Sequence, residues 1–301
     1  MAVKSVQAII NGTTYNLEYN SSTGKYEKTI TAPQKSSYNV NSGHYYPITL
    51  KVTDDADNQT IISDTDSAFG ENLKLTVKEI TPPVITVTSP TEGSILSKSS
   101  TRIQWTVSDN DSGVNPDTIS ISVNGKTITS GITKSQVSGV YSCYYDASSL
   151  PDGTNTITFN ASDNDGNSAV QRTLNFVVDT LPPTLSISSP ENNLITSNSS
   201  VVLAGTTNDA TSGVLKCVVN INGGTDIEVS VGSNGQFSKT LTLSEGTNTI
   251  VVTVTDNAGK SSSVTRVVTV DAGAPIINEV TISPNPVTVG SVIVISVNAS
   301  D

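Results

Sequence analysis

Apolar and polar residues alternate with period two along most of this chain. Ile103, Trp105 and Val107 alternate with polar neighbours, as do Ile157, Phe159 and Ala161, then Leu174, Phe176 and Val178. The pattern returns at Ile250, Val252 and Val254, and again at Val268 and Val270. Period two sends one face of an extended strand into a core and the other into water. About seven such runs, cut by turn residues every eight to twelve positions or so, fill each stretch of roughly 95 residues. That is the pattern of an antiparallel β-sandwich. No i, i+3, i+4 stripe in these stretches is long enough for a helix.

The runs belong to a repeat. Thr81-Pro82-Pro83 returns as Leu181-Pro182-Pro183, and Ser89-Pro90 as Ser189-Pro190, at a shift of 100. Asp109-Asn110-Asp111-Ser112-Gly113-Val114 returns as Asp209-Ala210-Thr211-Ser212-Gly213-Val214 at the same shift. Further on the shift is 93. Gly153-Thr154-Asn155-Thr156-Ile157 answers Gly246-Thr247-Asn248-Thr249-Ile250, and Asp163-Asn164-Asp165-Gly166-Asn167 answers Asp256-Asn257-Ala258-Gly259-Lys260. The drop of seven predicts that one loop or hairpin differs in length between two modules, 81–180 and 181–272.

Residues 1–80 read as a divergent N-terminal β-sandwich and a candidate attachment domain. Val3–Ile10 and residues 14–19 predict a hairpin around Asn11-Gly12, a strong two-residue turn signal. Residues 52–58 resemble the late hairpin of the modules, and residues 73–77 would be the last strand. Residues 273–301 read as a β-hairpin or partial module, with the turn Pro284-Asn285-Pro286 between two strands. Short proline-bearing linkers stiffen the joints. The predicted fold class is therefore all-β, with tandem sandwiches in a semi-rigid rod.

Composition explains how such modules are built and narrows what they do. Of 301 residues, 43 are Ser, 41 Thr and 27 Asn, against 14% charged and 5% aromatic. Thr suits strands, and Ser and Asn suit turns. A net charge of −11 with no basic stripe argues against nucleic acid, and no apolar run is long enough to predict a membrane span or membrane insertion. The start, Met1-Ala2-Val3-Lys4-Ser5-Val6-Gln7-Ala8-Ile9-Ile10, alternates like a strand and lacks the apolar run of a signal peptide. Cys143 and Cys217 fall in different modules, which fits synthesis in a reducing cytosol better than a disulfide framework.

The Pro-Pro and Ser-Pro steps, the Asp-x-x-Ser-Gly-Val segment and the Gly-Thr-Asn-Thr-Ile and Asp-Asn-x-Gly hairpin resemble bacterial immunoglobulin-like modules. The likeness is good over residues 81–272, looser over 1–80 and fragmentary over 273–301. The opening hairpin and the Ser42-Gly43-His44-Tyr45-Tyr46-Pro47 loop are similar to Ig-like structural proteins of Clostridium-type phages and prophages. The resemblance implies tandem immunoglobulin-like antiparallel β-sandwiches. It says little of role, because the fold hosts many. No Cys pair lies within one module, so the disulfide of antibody domains is not implied.

Two sets of side chains are candidates for binding. Asp109, Asp111, Asp163 and Asp165, with Asn110, Asn164 and Asn167, put hard oxygen donors in two loops, the chemistry calcium prefers. The simpler reading is that these residues close turns through side-chain to backbone bonds. The loops could also lie at opposite ends of a sandwich, which would preclude a shared site. Residues 1–80 hold six of the nine Tyr and the single His, His44. Tyr15, Tyr19, Tyr45 and Tyr46 are candidates for a partner face, or else for the rim of a small core. Trp105 reads as a core aromatic.

Catalytic chemistry finds little material. His44 stands alone, and neither a Gly-x-Ser-x-Gly elbow nor a phosphate-cradling loop occurs. Ser22-x-x-Lys25 falls in a turn. Lys126 and Lys216 lie in or beside strands, and an isopeptide role for either requires burial beside an acid. The expectation is a non-enzymatic structural or adhesive component of a phage or phage-tail-like particle. It would be made in the host cytoplasm and carried on the virion, with other virion or tail proteins bound through residues 1–80. Host-surface glycans are candidate ligands, and a symmetric homo-oligomer is expected because such particles are symmetric. The alternatives are a bacterial cell-surface adhesin or stalk, and an accessory region of a carbohydrate-active enzyme.

Overall fold

Strands β1 (Val3–Ile10) and β2 (Thr13–Asn20) close around Asn11 and Gly12. These carry φ of 47° and 75°, the left-handed values that a two-residue hairpin turn requires. Strands β3 (Lys25–Glu27), β4 (Tyr46–Asp54), β5 (Gln59–Ile62) and β6 (Lys74–Leu75) complete the first region. They form one sheet in the order β3-β2-β1-β4-β5, with β6 also on β4. The single sheet replaces the sandwich expected for residues 1–80. The reason is a shortage of inward apolar groups: β1 buries Val6 and Ile10, and β2 buries none of its residues. The hairpin from β4 to β5 does share its turn with the later modules. Asp54 Oδ1 accepts the Asn58 N–H at 2.9 Å, as Asp163 accepts that of Asn167 and Asp256 that of Lys260. The structure, a computed structural model, describes residues 2–301.

The next module contains β7 (Val84–Ser89), β8 (Ile95–Leu96), β9 (Thr101–Ser108), β10 (Val114–Val123) and β11 (Lys126–Ile128). It continues with β12 (Thr133–Val137), β13 (Val140–Ala147), β14 (Gly153–Asp163) and β15 (Arg172–Val178). One sheet runs β12-β13-β9-β7 and the other β11-β10-β14-β15-β8, the pairing of an immunoglobulin-like sandwich. Every alternating position singled out along β9, β14 and β15 is buried, from Ile103 at 0% exposure to Leu174 at 4%. Trp105 meets Phe159 edge-on, with centroids 5.3 Å apart.

The following module holds β16 (Thr184–Ser189), β17 (Leu194–Thr196), β18 (Ser200–Asn208) and β19 (Val214–Ile221). After these come β20 (Ile227–Glu228), β21 (Gln236–Thr242), β22 (Gly246–Asp256) and β23 (Ser261–Val270). Its sheets run β16-β18-β21 and β17-β23-β22-β19-β20. Leu203, Val219, Ile250, Val252, Val254 and Val268 form the centre of its core.

The seven-residue difference has two origins, where the sequence suggested one. From Val114 to Ile121, seven steps of β10 oppose the four from Asp163 to Phe159 on β14. From Val214 to Val219, five steps of β19 oppose the four from Asp256 to Val252 on β22. Two residues are therefore lost from a bulge. The other five are the net difference between the end of that bulge and β22, mainly where the strand equivalent to β12 is reduced to a single bridge between Val231 and Phe237.

Strands β24 (Ile276–Ser283) and β25 (Val294–Ser300) pair antiparallel, with both faces exposed. Ile276 opposite Ser300 matches Val84 opposite Ser108 and Thr184 opposite Asn208. The hairpin thus repeats the first strand pair of each module. By packing, the chain divides into two units, Met1–Ser94 with Ser100–Phe176, and Ile95–Ser99 with Val177–Asp301.

Candidate metal centre

The loop after β9 and the hairpin after β14 lie at one end of their sandwich, because β10 brings the first loop back against the second. Asn164 holds them together. Its N–H donates to Gly113 O at 2.9 Å, and its side-chain amide donates to Ser112 O and Gly113 O, each at 3.0 Å. The four aspartates expected to share a site nevertheless divide into two pairs with different work.

Asp109 and Asp163 face one another together with Glu79, which lies outside both loops and is not among the residues expected there. Each of the three offers a carboxylate oxygen, and these oxygens lie within 4.8 Å of one another. Asp109 Oδ1 accepts the N–H of Asp111 at 3.1 Å and of Gly113 at 2.8 Å. Glu79 Oε1 accepts the Ser112 N–H at 2.7 Å. Asp163 takes the backbone N–H of Asn167 on Oδ1 at 2.8 Å and its side-chain amide on Oδ2 at 2.7 Å. Burial pushes the Glu79 carboxyl above the ordinary range. The Ser112 hydrogen bond pulls it down, and repulsion from Asp109 and Asp111 adds to the rise.

Asp111 and Asp165 are not part of that cluster; they fasten the chain ahead of the module. Asp111 accepts the Ser36 N–H on both oxygens, at 3.1 and 3.0 Å. The Asn39 amide donates to Asp111 O at 2.7 Å. Asp165 Oδ2 accepts the Glu79 N–H at 3.0 Å, and Lys78 Nζ donates to Asp165 O at 3.3 Å. The Asn167 amide also reaches Glu79 O at 3.1 Å. Chemically the arrangement is a latch of charge-assisted hydrogen bonds, which are stronger than neutral ones. Three carboxylates at its centre are hard donors of the kind calcium takes. The signal that marks Glu79 is an acid four residues ahead of a proline, seen as Glu79 and Pro83, Asp179 and Pro183, Asp271 and Pro275.

The aromatic candidates separate as clearly. Tyr46 is 4% exposed and its hydroxyl donates to Lys35 O at 3.3 Å. It is a core residue, which corrects its place in a partner face. Tyr45 donates to Asp64 Oδ2 at 2.8 Å and lies under Lys74, and that hydrogen bond holds its phenol above the ordinary range. Tyr15 is half-buried. Tyr19 is 60% exposed and packs on Tyr26 with centroids 5.3 Å apart. His44 stacks on Tyr38 at 4.0 Å, and its Nδ1 contacts Tyr38 O at 2.6 Å. Lys126 and Lys216 are exposed, which removes them as isopeptide lysines.

Residues 83–159 match the family model of the bacterial Ig domain, and residues 183–272 match that of glucodextranase domain B. A search of curated proteins finds no match. Among solved structures, the fibronectin(III)-like modules of Clostridium thermocellum CbhA align at 14% identity and a TM-score of 0.38. That alignment covers 62% of this chain and 94% of that one. A 1.5-MDa bacterial ice-binding adhesin aligns at 22% identity and a TM-score of 0.35, over 90% of this chain and 88% of that one. The D00-D0 domain of intimin aligns at 16% and 0.31, over 62% of this chain and all of that one.

Proposed function

We propose that this tandem of bacterial Ig-like modules is a non-enzymatic structural and adhesive component of a phage or phage-tail-like particle. The observation that carries the reading is where the reactive side chains are spent. Asp111, Asp165 and Glu79 accept backbone N–H groups across the first junction, and the module interior is filled by its own apolar groups. Side chains used in this way hold segments in register. Cys143 and Cys217, buried as free thiols, suit a protein made in a reducing cytosol. Attachment falls to residues 1–80, where Tyr19 and Tyr26 offer an exposed aromatic pair. The polar surface of the later modules makes weak contacts with host-surface glycans, which many copies multiply by avidity.

Imaging of purified particles with an antibody against this chain tests the carrier: the expected result is a fixed copy number on each virion. Deletion of residues 81–301 is expected to abolish particle binding to cells, and unchanged binding sinks the adhesive role. Antibody labelling of the bacterial wall without particles would instead assign the chain to a cell-surface adhesin.

The match of residues 183–272 to domain B of glucodextranase favours a second reading, an accessory region of a carbohydrate-active enzyme. Retention of the chain on insoluble α-glucan, together with a glycosidase domain in the same polypeptide, would support that reading over the first.

A further inference from the structure

The module containing β16–β23 repeats the acidic arrangement, with an aspartate in place of the glutamate and a second difference beside Asp256. Asp179, Asp209 and Asp256 are the counterparts of Glu79, Asp109 and Asp163. Each again offers a carboxylate oxygen within 4.8 Å of the other two. Asp209 Oδ1 accepts the N–H of Thr211, Ser212 and Gly213 at 3.1, 2.8 and 2.8 Å. Asp256 Oδ1 accepts the Lys260 N–H at 2.8 Å, and Asp179 Oδ1 that of Leu181 at 3.3 Å. The remaining oxygens, Asp179 Oδ2 and Asp256 Oδ2, are buried and have no hydrogen-bond partner. Both residues are 0% exposed.

The second difference lies at the residue that closes the hairpin. In the first cluster the Asn167 amide closes Asp163 Oδ2. Here the corresponding residue is Lys260, which meets Asp256 through its backbone N–H. The ion pairs among the described residues, Lys4 with Asp57, Lys74 with Glu71 and Arg102 with Asp146, leave these three acids without a basic partner. Burying carboxylate oxygens with neither a donor nor a counter-charge is strongly unfavourable. A bound cation removes that cost for all three at once.

We propose that Asp179, Asp209 and Asp256 bind a hard divalent cation, with calcium the best fit. The donors are all oxygen, which excludes the soft, thiolate-selecting metals. Ser212 Oγ, in the Asp209 loop, is also buried without a partner. Calcium accepts irregular sets of about six to eight oxygens, whereas magnesium demands near-ideal octahedra. The ion ties together the segment after β15, the loop after β18 and the hairpin after β22. The inference is independent of what carries the chain.

The test uses the full chain, stripped with chelator and titrated with calcium. Binding is followed by calorimetry, and stability by thermal unfolding. The expected result is saturation at or below millimolar calcium and a Tm raised by several degrees. In the unmodified chain, amide exchange should slow at residues 209–214 and 256–260. The isosteric variants Asp179→Asn and Asp256→Asn should each lose this protection and melt higher than the parent in chelator, since each removes a buried charge. A purely structural role for the carboxylates would lower Tm in both variants with or without calcium. The proposal is overturned if millimolar calcium leaves Tm and exchange of the parent unchanged. It is equally overturned if both variants keep the calcium-dependent protection.

Discussion

The buried side chain of Asn155 is closed by Asn124: the Asn124 amide donates to Asn155 Oδ1 at 2.7 Å, and Asn124 Oδ1 accepts the Thr156 N–H at 2.9 Å. Asn155 in turn donates to Pro151 O and Gly153 O, at 2.9 and 3.1 Å. Asn222 and Asn248 repeat the pair at 3.0 Å, with the Asn248 amide on Ser244 O and Gly246 O. Each pair satisfies the polar backbone at the opposite end of its sandwich from the acidic loops. Replacing Asn155 by Ala leaves two carbonyls and an amide without partners, which should cost about 3 kcal/mol. Asn248→Ala should cost about as much. Chemical denaturation of each variant measures this, and a loss below about 1 kcal/mol would show that water replaces the amide.

Two glycines of β18 and its neighbouring turn should be intolerant for different reasons. A Cβ on Gly205 would lie 2.3 Å from Ser186 O and 2.6 Å from the Phe237 ring. A Cβ on Gly235 would meet Thr207 O at 2.2 Å, at a φ of +77°. Alanine at either position should cost about 2–4 kcal/mol. At Gly153, with positive φ but open space around it, alanine should cost only about 1 kcal/mol. The ranking is read from denaturation midpoints, and equal costs at the three positions would contradict it.

Trp105 should behave as a filled core position. Trp105→Ala removes the ring that meets Phe159 and should destabilise its module by about 3–5 kcal/mol. Trp105→Phe keeps most of the packing and removes an indole N–H that is buried without a partner, so its cost should be much smaller. Trp105 is the chain's single tryptophan, so calorimetric unfolding, rather than fluorescence, compares both variants.

Burial pushes the thiols of Cys143 and Cys217 from 9.0 up to about 11. Both should resist a soluble thiol reagent at pH 8 in the folded protein and react together on unfolding. In the unfolded chain these thiols ionise at lower pH than in the native protein. The protein's stability should therefore fall as pH climbs from about 9 towards 11, and the contribution is fully present below pH 9. Cys143→Ala with Cys217→Ala should flatten that decline in a pH series of unfolding curves.

The latch at the first junction predicts local loosening. Asp111→Ala removes both acceptors of the Ser36 N–H, in a residue that is 4% exposed. A cost of about 1.5–3 kcal/mol is expected for a charged acceptor. Limited proteolysis should speed up around residues 33–40 and leave β7–β15 protected. Unchanged cleavage there would mean that Asn39 and Glu79 hold the junction without it.

The core positions were legible because period two allows only one face of a strand to be apolar, so Ile103, Trp105, Val107 and their repeats could be named in advance. The repeat likewise announced matching turns, since Asp163 and Asp256 each close a hairpin through bonds to residues four positions on. The acidic clusters were less legible. Asp109 and Asp163 are 54 residues apart, and their approach depends on β10 carrying one loop back to the other. Sequence alone groups all four aspartates of the two loops, whereas the carboxylates of Asp111 and Asp165 turn to the preceding segment instead. The loops of Asp209 and Asp256 carry Thr211 and Ala258 where the preceding module has Asp111 and Asp165, and Asp179, which completes their cluster, lies outside both loops.

By itself the sequence determined the all-β class, the tandem modules and the residues that fill them, because alternation and turn chemistry are local and act within a few residues. Tertiary structure alone decided that residues 1–80 make one sheet, that the seven-residue difference splits between a bulge and a reduced strand, and which aspartates meet. Those outcomes depend on pairing register and on how many apolar groups are left to cover a second face, and both are set by contacts between residues far apart in the chain.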